Sequence, residues 1–130
     1  MRYVLAAAVL MLSGCKAFMP PDAVPYDPPA SYRALWAEVE ACTGRTGNFD
    51  ELHFYTEPGD RVSTTDEGII GGWTQGTDIL IPGDYILIRL VVKHEMIHAL
   101  GVHGHPQHPF FDPCHAMYED FTGPTYLKGD

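Results

Sequence analysis

Basic residues are scarce in this chain of 130 residues: 8 lysines and arginines stand against 17 acidic residues, a formal net charge of −9. Nucleic-acid binding needs a basic stripe to meet phosphates, and none is present, so no nucleic-acid partner is expected. Long apolar runs are missing as well. The run at residues 4–12 is wholly apolar but nine residues long, far short of the roughly 20 that a membrane-spanning helix needs. No internal repeat is visible. Cysteine is sparse, with three residues, and each has an assignment below.

What is present begins at the N-terminus. Met1-Arg2-Tyr3 supplies one positive charge, and the apolar run that follows suits the h-region of a signal peptide. It ends in Leu12-Ser13-Gly14-Cys15, which resembles a bacterial lipobox. A buried apolar helix is the competing reading, and it fits poorly because nothing polar alternates with the run. Residues 1–14 are therefore expected to be a lipoprotein signal peptide and Cys15 the lipidated first residue. Several acyl chains give stable membrane attachment where one alone is marginal. In the lipoproteins this segment resembles, Asp after the cysteine favours the inner membrane. Lys16 stands there instead, so an extracytoplasmic body at the outer membrane is favoured. The acidic balance suits a soluble body held away from anionic lipid.

Residues 15–30 hold Pro20, Pro21, Pro25, Pro28 and Pro29, a composition that favours a semi-rigid extended tether. The folded body is then residues 31–130, one domain. Ser31 suits the N-cap of a helix over 31–41, with Leu35, Val39 and Cys42 on one face and Gly44 and Gly47 beyond its end. Residues 52–56 read as a strand ended by Pro58-Gly59-Asp60, and 61–65 as a second short one. Residues 69–73 and 77–81 read as strands separated by Gln75-Gly76. Asp84 is placed to cap a central, largely apolar helix over 85–100, with Gly101 at its left-handed end.

That helix carries His94-Glu95-Met96-Ile97-His98. Residues four apart project from one helix face, so His94 and His98 can reach a single tetrahedral ion through Zn–N bonds of roughly 2.0–2.1 Å. Glu95 lies about 100° further round, where its carboxylate reaches a water on the metal rather than the metal. Zinc acidifies such a water and a positioned carboxylate takes its proton. A lone helix histidine is more often a hydrogen-bonded core residue, and a His/Glu pair can be a solvated face. Here the neighbours are Val91, Val92, Met96, Ile97 and Leu100, among which two imidazoles and a carboxylate are costly unless satisfied. The expected cofactor is Zn2+, with His94 and His98 as ligands and Glu95 as general base.

The run from His94 to Gly101 resembles the start of the metzincin signature HExxHxxGxxH. The resemblance implies an α+β fold of zincin type: a mixed, mostly antiparallel sheet, a backing helix and a central metal-binding helix. It also implies a third histidine, but the position the signature specifies is Gly104, flanked by His103 and His105. His105 is preferred, because Gly104 frees the backbone before it and Pro106 extends it. Gly104-His105-Pro106 with Phe110 and Cys114 is also similar to an HExxH…GHP…C pattern of small bacterial metallopeptidases. His103 is the runner-up, followed by His108 and His115, while Glu119 and Asp120 match the carboxylate ligand of another zincin group. Six of the seven histidines fall within residues 94–115, which favours histidine.

With Cys15 lipidated, Cys42 and Cys114 remain as a disulfide pair in an oxidising compartment. The competing assignment gives one of them to the metal, against the usual nitrogen and oxygen ligands of HExxH hydrolases. Cys114-His115-Ala116-Met117-Tyr118 resembles the metzincin methionine turn, with Met117 as a hydrophobic floor; an ordinary buried Met is the alternative. In zincins an antiparallel edge strand pairs with extended peptide, and Thr77, Asp78, Ile79, Leu80 and Ile81 are the candidates; an ordinary sheet strand is the alternative. Trp73, Tyr118 and Tyr126 are cleft or core. The expected function is that of a monomeric, membrane-anchored zinc metallopeptidase with a peptide or protein substrate. A non-catalytic zinc-binding surface lipoprotein is the alternative.

Overall fold

A computed structural model describes residues 19–62, 69–104, 109–117 and 123–129. The signal segment and Cys15 lie outside these residues. Strands β1 (Val24–Pro25), β2 (His53–Glu57), β5 (Trp73–Gln75) and β6 (Asp78–Pro82) form a sheet in the order β1-β2-β6-β5. β2 and β6 run parallel, and both outer strands are antiparallel to their neighbours. β3 (Arg61–Val62) and β4 (Ile69–Ile70) make a separate antiparallel pair. With helices α1 (Ala30–Thr43) and α2 (Arg89–Ala99), this is a small α+β fold with a mixed sheet.

β6 holds the centre. Ile79, Leu80 and Ile81 are three consecutive buried apolar residues, the pattern of a strand covered on both faces. Its backbone pairs with β2 on one side, Phe54 opposite Ile79, and with β5 on the other, Thr74 opposite Ile79. This corrects the expectation that Thr77, Asp78, Ile79, Leu80 and Ile81 provide the edge strand for substrate. Among the described residues, the outer antiparallel strand beside α2 is β5.

The proline-rich segment also contributes more than a tether. Val24 and Pro25 pair with Thr56 and Tyr55, and Tyr26 N–H donates to the Phe54 carbonyl at 2.8 Å. Proline is tolerated there because an outermost strand leaves one row of backbone groups unpaired.

Both helices start without a side-chain cap. Pro29 precedes α1, so Ser31 falls inside the first turn and its hydroxyl donates to the Lys128 carbonyl instead. Tyr32, Leu35, Trp36 and Val39 repeat at helical spacing and are buried, and Gly44 ends the helix at φ 69°. Asp84 falls in a 3₁₀ turn, Gly83–Tyr85, rather than at the start of α2. The C-terminal segment does the capping: Arg89 N–H donates to the Thr125 carbonyl at 2.9 Å, and Leu127 N–H to the Leu87 carbonyl at 2.7 Å. An unsatisfied N–H of the first helical turn is thereby paired by distant chain.

The core fills the space between sheet and helices with Tyr32, Val39, Ile79, Val92, Ile97 and Phe111. Cys42 at the end of α1 and Cys114 lie at disulfide distance, their Cα atoms 5.2 Å apart across 72 residues of sequence. Among the described residues no helix is long and apolar enough to cross a membrane.

Candidate metal centre

His94, Glu95 and His98 occupy the C-terminal half of α2. His94 and Glu95 are nearly sealed from solvent, 2% and 3% exposed. Each imidazole is held by a backbone carbonyl at 2.8 Å: His94 Nδ1 meets Ala116 O, and His98 Nδ1 meets Val102 O. A carbonyl only accepts, so each Nδ1 carries the proton and directs its Nε2 lone pair to the other side of the ring. The two Nε2 atoms face each other at 3.2 Å. Two Zn–N bonds of tetrahedral geometry place their nitrogens about 3.3–3.4 Å apart. The donor pair thus fits a tetrahedral ion, and the competing occupant at this distance is one shared proton.

The sequence folds this way because the chain turns back at once after α2. Gly101 adopts φ 80°, its N–H donates to the His98 carbonyl at 2.9 Å, and the turn delivers the Val102 carbonyl to His98. Arg45 Nη1 donates to the Leu100 carbonyl at 3.0 Å, closing the last helical turn. Phe111, fully buried, packs its ring against both imidazoles, with centroids 4.6 Å from His94 and 5.1 Å from His98.

Glu95 faces the sheet edge. The Thr74 hydroxyl donates to Glu95 Oε2 at 2.6 Å and lies 3.2 Å from the Glu95 main-chain oxygen. Gly72 leaves the space the carboxylate uses: a Cβ there would sit 2.7 Å from Glu95 Cγ and Oε1. Burial pushes the Glu95 carboxyl up to about 7, while the hydrogen bond from Thr74 pulls the other way. A carboxyl poised near neutrality can both take and return a proton.

Of the expected third ligands, His105 and His108 lie outside the described residues, as do Tyr118, Glu119 and Asp120. His103 and His115 are exposed, and among the described residues no third His, Cys, Asp or Glu joins a metal-holding group. The runner-up His103 is therefore not brought to the pair. Val102 is buried and gives its carbonyl to His98, while His103 beside it is exposed. Cys114 is bonded to Cys42 rather than aimed at the imidazoles. Met117 is buried in the core beside Ala116, while the aromatic surface against the histidines is Phe111. Comparison with protein families, with curated proteins and with solved structures finds no match to this chain.

Sequence reasoning missed Thr74, Gly72, Phe111 and the Ala116 carbonyl. The paired Phe110-Phe111, set among His108, Pro109, Asp112 and Pro113, was the available signal for one of them. Trp73 is half-buried on β5, and Tyr126 is exposed at a backbone bridge to Ile88.

Proposed function

We propose that this protein is a zinc-dependent hydrolase acting on peptide bonds, held to a bacterial envelope membrane by lipid on Cys15. The observation that carries the metal reading is the pair of Nε2 atoms at 3.2 Å, both Nδ1 positions being committed to carbonyls. Zinc would be held by His94 and His98, with His105 as the proposed third ligand. Bound zinc supplies Lewis acidity, polarising a carbonyl and acidifying water.

The chain's own groups supply the rest. Glu95 accepts a proton from the attacking water and returns it to the leaving amine. Thr74 holds that carboxylate through its hydroxyl, and Gly72 leaves room for it. The outer edge that β5 has among the described residues would offer backbone donors and acceptors to an extended peptide, which would then lie alongside the strand whose Thr74 bonds the general base. The peptide class of substrate rests on this edge together with the metzincin-like His94–Gly101 run. Substitution of Glu95 by Gln is expected to leave zinc bound while hydrolysis of a mixed peptide library is lost. Undiminished turnover by that variant would remove Glu95 from the reaction.

The histidine density of residues 94–115 favours one second reading, a zinc-binding lipoprotein without turnover. More than one zinc per chain and no hydrolysis would support it. A buried carboxyl held by Thr74 beside the histidines supports the hydrolase instead. The anchor is read from Leu12-Ser13-Gly14-Cys15. Replacing Cys15 by Ala is expected to release the protein from membranes, and continued attachment would refute it.

A further inference from the structure

Two of the contacts that orient the imidazoles arrive on one short loop. Residues 109–117 carry Phe111, packed against both rings, and Ala116, whose carbonyl fixes His94 Nδ1. Backbone-to-backbone hydrogen bonds close the loop on itself: Cys114 N–H to Phe111 O, His115 N–H to Asp112 O, and Ala116 N–H to Phe111 O. Its ties to α2 include side-chain bonds from His94 and Lys93 to the Ala116 and Cys114 carbonyls. Cys114 stands between Phe111 and Ala116 in sequence and is bonded to Cys42, in the last turn of α1. Lys93, the residue before His94, adds a 2.8 Å hydrogen bond from Nζ to the Cys114 carbonyl.

We propose that the Cys42–Cys114 disulfide is the positioning device of the metal centre, so that its loss weakens metal binding by the folded chain. The inference rests on the metal-binding reading above. A loop closed by its own turns can keep its internal shape and still drift from α2. Apolar packing of Phe111 resists that drift but does not fix the direction of the Ala116 carbonyl. The covalent link to α1 does so together with the Lys93 bond to the Cys114 carbonyl, because α1 packs on α2 and the disulfide enters the loop between the two contacting residues. Without it His94 Nδ1 loses a fixed acceptor, and the Nε2 lone pair loses its fixed direction. Outer-shell contacts of this kind are worth about 10- to 100-fold in metal affinity.

The test uses the full chain and a variant carrying both Cys42→Ser and Cys114→Ser, which removes the bond without a reductant that would bind metal. Zinc affinity is measured by competition with a chromophoric chelator at a temperature where circular dichroism shows both proteins folded. The visible spectrum of bound Co2+ reports ligand geometry. The expected result is a Kd raised about 10- to 100-fold, with an altered Co2+ spectrum. A Kd within twofold of wild type, whatever the fall in Tm, would show that the bond serves stability alone and would overturn the proposal. If the oxidised wild-type chain binds no zinc, the metal reading fails and this inference falls with it.

Should the double variant not fold, the wild-type chain gives the reciprocal measurement. In a buffer that holds free zinc constant against glutathione's own thiols, two glutathione thiols reduce the disulfide to two cysteine thiols and leave as glutathione disulfide. Coupling between the bond and the metal is mutual, so saturating zinc must make this reduction at least tenfold less favourable, a shift of about 30 mV. The His94→Ala, His98→Ala chain should show no shift. A zinc-independent midpoint in the wild type would overturn the proposal.

Discussion

The hydroxyl of Thr74, on the edge strand, donates a 2.6 Å hydrogen bond to the carboxylate of Glu95, on the metal-binding helix. One bond thus links the surface proposed to bind substrate with the group proposed to move its proton. Replacing Thr74 by Val removes a hydrogen bond that lowers the Glu95 pKa and so works against burial. The acidic limb of the pH–activity profile should move to higher pH, and stability should fall by about 1–3 kcal/mol. Thr74→Ser should restore both. Carbon-13 titration of the Glu95 carboxyl checks the direction, and an unmoved titration would contradict it.

Gly72 is required for space. A Cβ there would come within 2.8 Å of three Glu95 side-chain atoms, closer than real contacts allow. Gly72→Ala should displace the carboxylate, cost about 1–3 kcal/mol, and reduce kcat with zinc content unchanged. Thermal unfolding and metal analysis of the same sample separate these effects.

Glu95 also sets a pH dependence in the metal-free chain. Its folded pKa of about 7 lies above the ordinary 4.5, so the folded state holds this proton more tightly than the unfolded one. The associated stability is fully present below about pH 4.5 and is lost as pH rises through about 7. Metal-free wild type should therefore lose more stability between pH 5 and pH 8 than Glu95→Gln does. At about 1.4 kcal/mol per pKa unit the difference is at most a few kcal/mol. Urea unfolding of both chains across this window provides the measurement.

Local features were readable in the sequence, and distant ones were not. The helix around His94–His98 and the left-handed Gly101 follow from spacing and from glycine's conformational freedom. The strands at 52–56 and 77–81 follow from short runs rich in β-branched and aromatic residues. Three apolar residues in a row at Ile79, Leu80 and Ile81 suit a strand covered on both faces, which agrees with the ordinary-strand reading and not with a substrate edge. Pro25 pairs in the sheet only because an outer position lies open beside β2, which composition does not encode. The supports of the site are harder still. The Ala116 and Val102 carbonyls are backbone atoms and bear no residue signature, and Phe111 reaches the histidines through a loop whose course the disulfide helps to set.

The central claim is that His94 and His98 share a metal ion rather than a proton. The direct test is zinc stoichiometry of the purified chain, with X-ray absorption at the zinc edge. The prediction is one zinc per chain, imidazole nitrogens at roughly 2.0–2.1 Å, and loss of that zinc when both histidines are replaced by alanine. A chain that binds no zinc, or that keeps its zinc in the doubly substituted form, would contradict the account.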